Sequence, residues 1–191
     1  APVLCIVGDG SVGLNFADIF ACLGLYSATP SGSFIPGLEC AGIVEALGPG
    51  VHASPGLSVG ERVVALTRFG AYATAINVGA AYLRSAPAGW TPAQSAAWPV
   101  QGLTAWHGLV PLGNVQAGSV VLVQSAAGGV GLMALEILRA LGARPLAVVG
   151  LEAKRRFLLE QRGLPADAVV VREPRRFGAQ LERVLAALGA P

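Results

Sequence analysis

The sequence predicts an α/β chain in two parts, a small β-rich region over residues 1–88 and a parallel sheet with crossover helices over residues 89–191. Three observations lead there. In the first part, short apolar runs are punctuated by Gly and Pro, the pattern of short strands and turns. In the second, apolar runs alternate with helical periodicity in the order β-α-β-α-β-α, which suits parallel strands joined by helices. Finally, 53% of the 191 residues are hydrophobic and only 13% charged, so the chain can bury a core and is not a disordered polymer.

Element by element, Pro2 to Val7 is a short apolar run and Gly8 to Gly13 reads as a turn. Leu14 to Leu25 predicts a helix with Leu14, Ala17, Ala21 and Leu25 on one face. Residues 27–37 are loop. Glu39 to Leu47 predicts a strand closed by Gly48-Pro49-Gly50, residues 49–60 a second loop, and Glu61 to Leu66 and Tyr72 to Val78 two further strands.

Near residue 88 the pattern changes. Thr91-Pro92-Ala93-Gln94 opens a helix, with Thr as N-cap and Pro at the first helical position. Another helix follows through Leu103 to Leu109. Val120 to Gln124 is a buried strand, Leu132 to Leu141 a helix closed by Gly142, and Pro145 to Val149 a strand. Lys154 to Arg162 is a helix ended by Gly163, Ala168 to Val171 a strand, and Phe177 to Leu188 a last helix.

Charge is uneven. Residues 1–138 carry three basic and six acidic groups, residues 139–191 ten basic and five acidic, giving −3 and +5. A basic C-terminal part suits a phosphate-bearing ligand, a nucleic-acid face or simply solvated helices. No motif of interleaved aromatic and basic residues supports nucleic acid. Between Arg84 and Glu136 there is no Asp, Glu, Lys or Arg. The stretch is broken by four prolines and several Gln and Asn, so it predicts buried core rather than a membrane span. Cys5, Cys22 and Cys40 are isolated thiols, which fit a reducing, intracellular compartment such as the cytoplasm. No signal-peptide pattern leads the chain, and a start at Ala1 suggests an incomplete or processed N-terminus.

Two glycine-rich segments compete for a nucleotide. Gly8-Asp9-Gly10-Ser11-Val12-Gly13 has the G-x-G-x-x-G spacing, but no second apolar strand follows its helix on schedule, and Asp9 would face a phosphate. A plain turn between strand and helix is the expectation there. Ser125-Ala126-Ala127-Gly128-Gly129-Val130-Gly131 follows a clean strand, precedes an amphipathic helix and is followed by another strand. Its small residues would let the backbone approach a pyrophosphate, and the helix N-terminus supplies N–H groups. Tight helix–strand packing without a ligand is the other reading. At the end of the next strand, where an NAD site places a carboxylate, stands Gly150, followed by Lys154, Arg155 and Arg156. That favours the 2′-phosphate of NADP(H), with Lys154 and Arg155 as its contacts, although Glu152 could still reach a ribose.

With those pieces in place, the chain resembles the zinc-free quinone oxidoreductase and enoyl reductase branch of the medium-chain dehydrogenase/reductases. The resemblance rests on Gly13-Leu14-Asn15-Phe16-Ala17-Asp18, Leu23-Gly24-Leu25-Tyr26, Pro36 to Val44, Val59 to Val63, Phe69 to Ala73, Leu103-Thr104-Ala105-Trp106 and Ala126 to Gly131, in family order. It implies an incomplete GroES-like β-barrel domain carrying the substrate site over residues 1–88. A partial Rossmann-type dinucleotide-binding domain, cut short at its C-terminal end, is then expected over 89–191. It implies NADPH-dependent hydride transfer to a quinone or an activated C=C, on a small-molecule or carrier-bound substrate, and a homodimer in the full-length protein. Asn15 and Tyr26 would serve at the reacting end, Thr104 at the nicotinamide, and Ala126, Ala127, Gly128, Gly129, Val130 and Gly131 at the pyrophosphate.

Zinc-dependent members have Cys and Gly-His-Glu where this chain has Asn15 and Gly37-Leu38-Glu39, so neither catalytic nor structural zinc is expected. His52 and His107 read as surface or structural residues. Helix capping is the alternative role for Asn15 and Asp18. Quinone reductases often carry a Tyr five residues after the Asn, where this chain has Phe20, and a Ser where it has Leu151. A non-catalytic nucleotide-binding or interaction module on the same fold is therefore the second reading.

Overall fold

A computed structural model describes residues 3–49, 51 and 57–187, with the side chains of residues 3–9 excepted. The chain divides into two compact units, residues 1–100 and 101–191.

The first unit holds five strands: β1 (Val3–Val12), β2 (Glu39–Leu47), β3 (Arg62–Leu66), β4 (Ala75–Gly79) and β5 (Leu83–Ser85). They form an antiparallel sheet in the order β4-β1-β2-β3-β5. Val44, Val63, Ala65, Val78 and Leu83 pack its core. Two short helices belong to this unit, α1 (Phe16–Cys22) and α2 (Pro92–Ala96). The Thr91 hydroxyl accepts the Gln94 N–H at 3.2 Å and the Gln94 side chain accepts the Thr91 N–H at 2.9 Å, so the expected cap of α2 is present.

The division falls after Val100 and not near residue 88, because α2 packs on β1, β2 and β3. Ala96 is buried with Ala41 and Val64.

Three further expectations need correcting. Gly8 to Val12 is no turn but the second half of β1. Pairing jumps from Val7↔Ile43 to Ser11↔Ala41, so Gly8, Asp9 and Gly10 lie in an irregular, bulged stretch. Helix α1 is only seven residues long, and it buries Asp18 and Ala21 while Leu14 and Leu25 are exposed. The strand expected at Tyr72 starts at Ala75, because the Ala71 and Tyr72 N–H groups are taken by Gly37 and Pro36. His52 lies outside the described residues.

Helix α3 (Pro99–His107) runs across the division and ends in a turn of π-helix over Gly108–Leu112, with Pro111 inside it. The second unit then alternates β6 (Val120–Gln124), α4 (Gly129–Ala140), β7 (Arg144–Val149), α5 (Glu152–Arg162), β8 (Val169–Val171) and α6 (Phe177–Ala187). The three strands pair in parallel in the order β6-β7-β8. Leu135, Leu138, Ala147, Val149 and Leu158 fill the core between sheet and helices. Gly163 closes α5 with φ +67°, the left-handed cap that glycine adopts without strain. Among the described residues no helix is long and apolar enough to cross a membrane.

Candidate functional site

In the first unit the polar residues around Asn15 form one hydrogen-bonded cluster. Asn15 is the N-cap of α1 in extended backbone geometry. Its N–H donates to Asp18 Oδ2 at 2.9 Å, so Asp18 does cap the helix start. The Asn15 side chain is used elsewhere: Nδ2 donates to Glu39 Oε1 at 2.7 Å. Glu39 Oε2 accepts the Val100 N–H, also at 2.7 Å. The Tyr72 hydroxyl donates to Asp18 Oδ2 at 2.9 Å.

Local backbone chemistry builds this cluster. The Gly13 N–H donates to the Glu39 carbonyl at 3.1 Å, pinning the chain before α1 to the start of β2. A Cβ on Gly13 would overlap the Glu39 carboxyl group, so only glycine fits. Gly37 has φ +102°, and a Cβ there would lie 2.7 Å from the Tyr72 nitrogen. The Thr67 hydroxyl ties this turn down by donating to the Gly37 carbonyl at 2.9 Å.

Glu39 is fully buried and Asp18 nearly so. Burial pushes the Glu39 carboxyl above its ordinary value; the Val100 and Asn15 hydrogen bonds oppose this, and the Asp18 charge adds to it. Burial raises the Tyr72 hydroxyl to about 12, assisted by its bond to Asp18. The Cys40 thiol, buried beside Glu39, is pushed up to about 11 and is a poor nucleophile.

Asn15 thus sits in a preformed network, while Tyr26 does not join it. Tyr26 lies in the loop after α1, 36% exposed, and no hydrogen bond connects its hydroxyl to Asn15. The outer face of α1 carries exposed Phe16, Ile19, Phe20 and Leu23. Among the described residues no group of three or more His, Cys, Asp and Glu could hold a metal ion.

In the second unit the glycine-rich turn lies between β6 and α4. Ser125 takes the left-handed conformation, φ 52°, and its carbonyl accepts the Gly128 N–H at 2.8 Å. The Ala126 N–H donates to the Val148 carbonyl at 3.1 Å, tying the turn to β7. Gly128 caps α4 with no side-chain bond, which leaves the first-turn N–H groups open to an anion. Gly128, Gly129 and Val130 are exposed, Ala127 is half-buried, and Ala126 and Gly131 are buried.

The glycines have different reasons to be glycine. A Cβ on Gly131 would lie 2.5 Å from the Ser125 carbonyl oxygen, so this residue serves helix–strand packing. A Cβ on Gly129 would overlap the Gln101 side-chain amide instead. The open N–H groups, the small residues and the polar amide over Gly129 fit a pyrophosphate. Thr104 is exposed on α3.

In the first turn of α5, which follows β7, Lys154 and Arg155 differ. Arg155 is engaged: it pairs with Glu152 at 3.2 Å and donates to the Val169 and Ala166 carbonyls at 3.4 Å. Lys154 is exposed and has no ion-pair partner among the described residues. Leu151 is the N-cap of α5, exposed and with no side-chain cap.

The sequence reading missed Glu39 and Tyr72 as members of the Asn15 cluster. The available signal was a lone charge opening an otherwise apolar strand, Glu39-Cys40-Ala41-Gly42-Ile43-Val44.

Residues 5–128 match the alcohol dehydrogenase GroES-like domain family. A mycocerosic acid synthase-like polyketide synthase of Mycobacterium tuberculosis is 39% identical over 176 residues, which is 92% of this chain and 8% of that protein. The crystal structure of CurK enoyl reductase superposes with TM-score 0.83 and 29% identity, over 96% of this chain and 55% of that one. The Escherichia coli quinone oxidoreductase complexed with NADPH gives TM-score 0.79 and 31% identity, over 98% of this chain and 54% of that one. The chain therefore spans about half the length of these solved structures and a small part of the polyketide synthase.

Proposed function

This chain belongs to the medium-chain dehydrogenase/reductase superfamily, and from that premise we propose that it is part of an NADPH-dependent reductase that delivers hydride to a quinone or to the activated C=C of an enoyl substrate, small or carrier-bound. The observation that carries the reading is the Ser125–Gly131 turn, with an uncapped helix N-terminus following a parallel strand.

In this reading Ala126 to Gly131 hold the pyrophosphate. The N–H groups at the start of α4 bond its oxygens, and the positive end of the helix dipole favours its charge. Lys154, exposed next to the open N-terminus of α5, takes the 2′-phosphate. Arg155 braces α5 against β8 and contributes positive potential rather than a direct contact. Thr104 contacts the nicotinamide end. The cofactor, when bound, supplies the hydride.

Asn15 orients the reacting groups through its carboxamide, held in place by Glu39. Asn15 and Leu38 stand where thiolate and imidazole zinc ligands would be needed, and neither side chain serves that purpose. The acceptor is accordingly one whose own conjugation stabilises the developing negative charge. Tyr26 is the candidate proton donor. The neighbour crystallised with NADPH supports the cofactor, and the CurK enoyl reductase supports the acceptor class.

The test is NADPH oxidation with an ortho-quinone and, separately, with a crotonyl thioester, each with and without a strong chelator. Turnover with either acceptor, unchanged by the chelator, supports the proposal. Tight NADPH binding without turnover on any acceptor would favour the non-catalytic module, for which the exposed, hydroxyl-free Leu151 cap speaks.

A further inference from the structure

We propose that Glu39 is the positioning residue of Asn15: its buried carboxylate takes the amide N–H and fixes which end of the carboxamide faces the reacting groups. The second half of that statement rests on the reductase reading above; the first does not.

An asparagine amide is nearly symmetric in shape but opposite in polarity at its two ends. Left to itself it presents oxygen or NH2 with little preference. A carboxylate cannot donate, so only the NH2 end can face Glu39 Oε1, and the 2.7 Å contact removes the ambiguity.

Glu39 is itself fixed three ways. Its second oxygen accepts the Val100 N–H, its own carbonyl accepts the Gly13 N–H, and Gly13 lacks the Cβ that would displace the carboxyl group. Both oxygens act as acceptors, the pattern of a carboxylate. Burying such a group costs stability that an apolar side chain at this place would not lose. Holding one orientation of a functional amide is a return for that cost which simple packing would not give. Asp18 is the other carboxylate of the cluster, and it serves the Asn15 main chain and Tyr72, not the Asn15 amide. Glu39 is therefore the acceptor that fixes the NH2 end of the amide.

Glu39→Gln keeps the shape and reverses one polarity. The Val100 N–H cannot turn, so the glutamine oxygen must stay with it, and the glutamine NH2 then faces Asn15. Asn15 must flip its amide to answer. Turnover should fall about 10–100-fold, the scale of losing one positioned group, while NADPH affinity, set in the other unit, changes less than about twofold. Asn15→Ala should lose a similar amount, and the double variant no more than the worse single one.

Side-chain NMR of the parent chain gives the independent arm. One Asn15 amide proton, assigned by its absence in Asn15→Ala, should be protected from hydrogen exchange, and Glu39→Gln should abolish that protection. Full turnover in Glu39→Gln, strictly multiplicative losses in the double variant, or two Asn15 amide protons exchanging at the solvent rate in the parent would each overturn the proposal. If the parent turns over no acceptor, the reductase reading fails, and the exchange measurement alone decides whether Glu39 holds Asn15. The same measurement decides if Glu39→Gln does not fold.

Discussion

Tyr72 and Asp18, 54 residues apart in sequence, are joined by a 2.9 Å hydrogen bond from the phenol to the carboxylate. That bond lashes the turn before β4 to the first turn of α1, and so supports the loop that carries Asn15. Asp18 Oδ2 has two donors, this phenol and the Asn15 N–H, while Oδ1 is buried without a partner. Removing one donor from so enclosed a carboxylate is costly.

Tyr72→Phe should therefore destabilise the first unit by about 1–3 kcal/mol, the usual cost of under-bonding a buried polar group. Chemical denaturation checks this. An unchanged midpoint would show that the Tyr72–Asp18 bond does not hold α1.

Lys154 and Arg155 are neighbours with different surroundings, and substitution should separate them. Lys154→Ala should reduce the preference for NADPH over NADH by about tenfold or more, since a charge-assisted contact to phosphate is lost. Arg155→Ala should mainly loosen the packing of α5 on β8, because its guanidinium is committed to Glu152, Val169 and Ala166. Paired cofactor titrations and melting curves measure both effects. Selectivity that follows Arg155 and ignores Lys154 would reverse the assignment.

Stability should also carry a pH signature from Glu39. Its folded carboxyl titrates above its ordinary value of 4.5, chiefly because burial disfavours the charge. The folded state thus binds the proton more readily than the unfolded one. This contribution is fully present below about pH 4.5 and is lost as pH rises through the folded value. The stability of the parent minus that of Glu39→Gln should therefore fall with rising pH above about 4.5 and then level off. Urea unfolding of both proteins across pH 4–8 makes the comparison. A difference that grows with pH would mean the carboxyl titrates below its ordinary value in the folded state.

Much of the second unit was legible in the sequence because its signals are local. The bounds of β6, Val120–Gln124, are recovered residue for residue, although only Val123 within it is buried, and Gly163, like Thr91-Pro92 in the first unit, marks a helix end through capping chemistry that needs no distant partner. Gly8 to Gly13 read as a plain turn because clustered glycines mark turns and bulged strands alike, and only the pairing of β1 with β2 tells them apart. The Asn15 cluster was half legible. Asn15 and Asp18 stand close in sequence, but Glu39 reaches Asn15 across 24 residues and Val100 across 61, and such bonds leave no local pattern. The burial of α1 was only partly legible for the same reason: Ala21 is buried as expected, but Leu14 and Leu25 are exposed, and Asp18, bonded to the distant Tyr72, is buried instead.

The proposed cofactor site is the Ser125–Gly131 turn, and not the glycines of β1. NADPH titration of the parent, Gly129→Asp and Gly10→Asp, followed by the change in NADPH fluorescence and with circular dichroism confirming each fold, tests it most directly. A carboxylate at position 129 opposes the phosphates by charge and by bulk, so Gly129→Asp should lose at least about tenfold in affinity. Gly10→Asp, in the bulged part of β1, should bind like the parent. A folded Gly10→Asp protein that no longer binds NADPH, beside a Gly129→Asp protein that binds normally, would contradict the account.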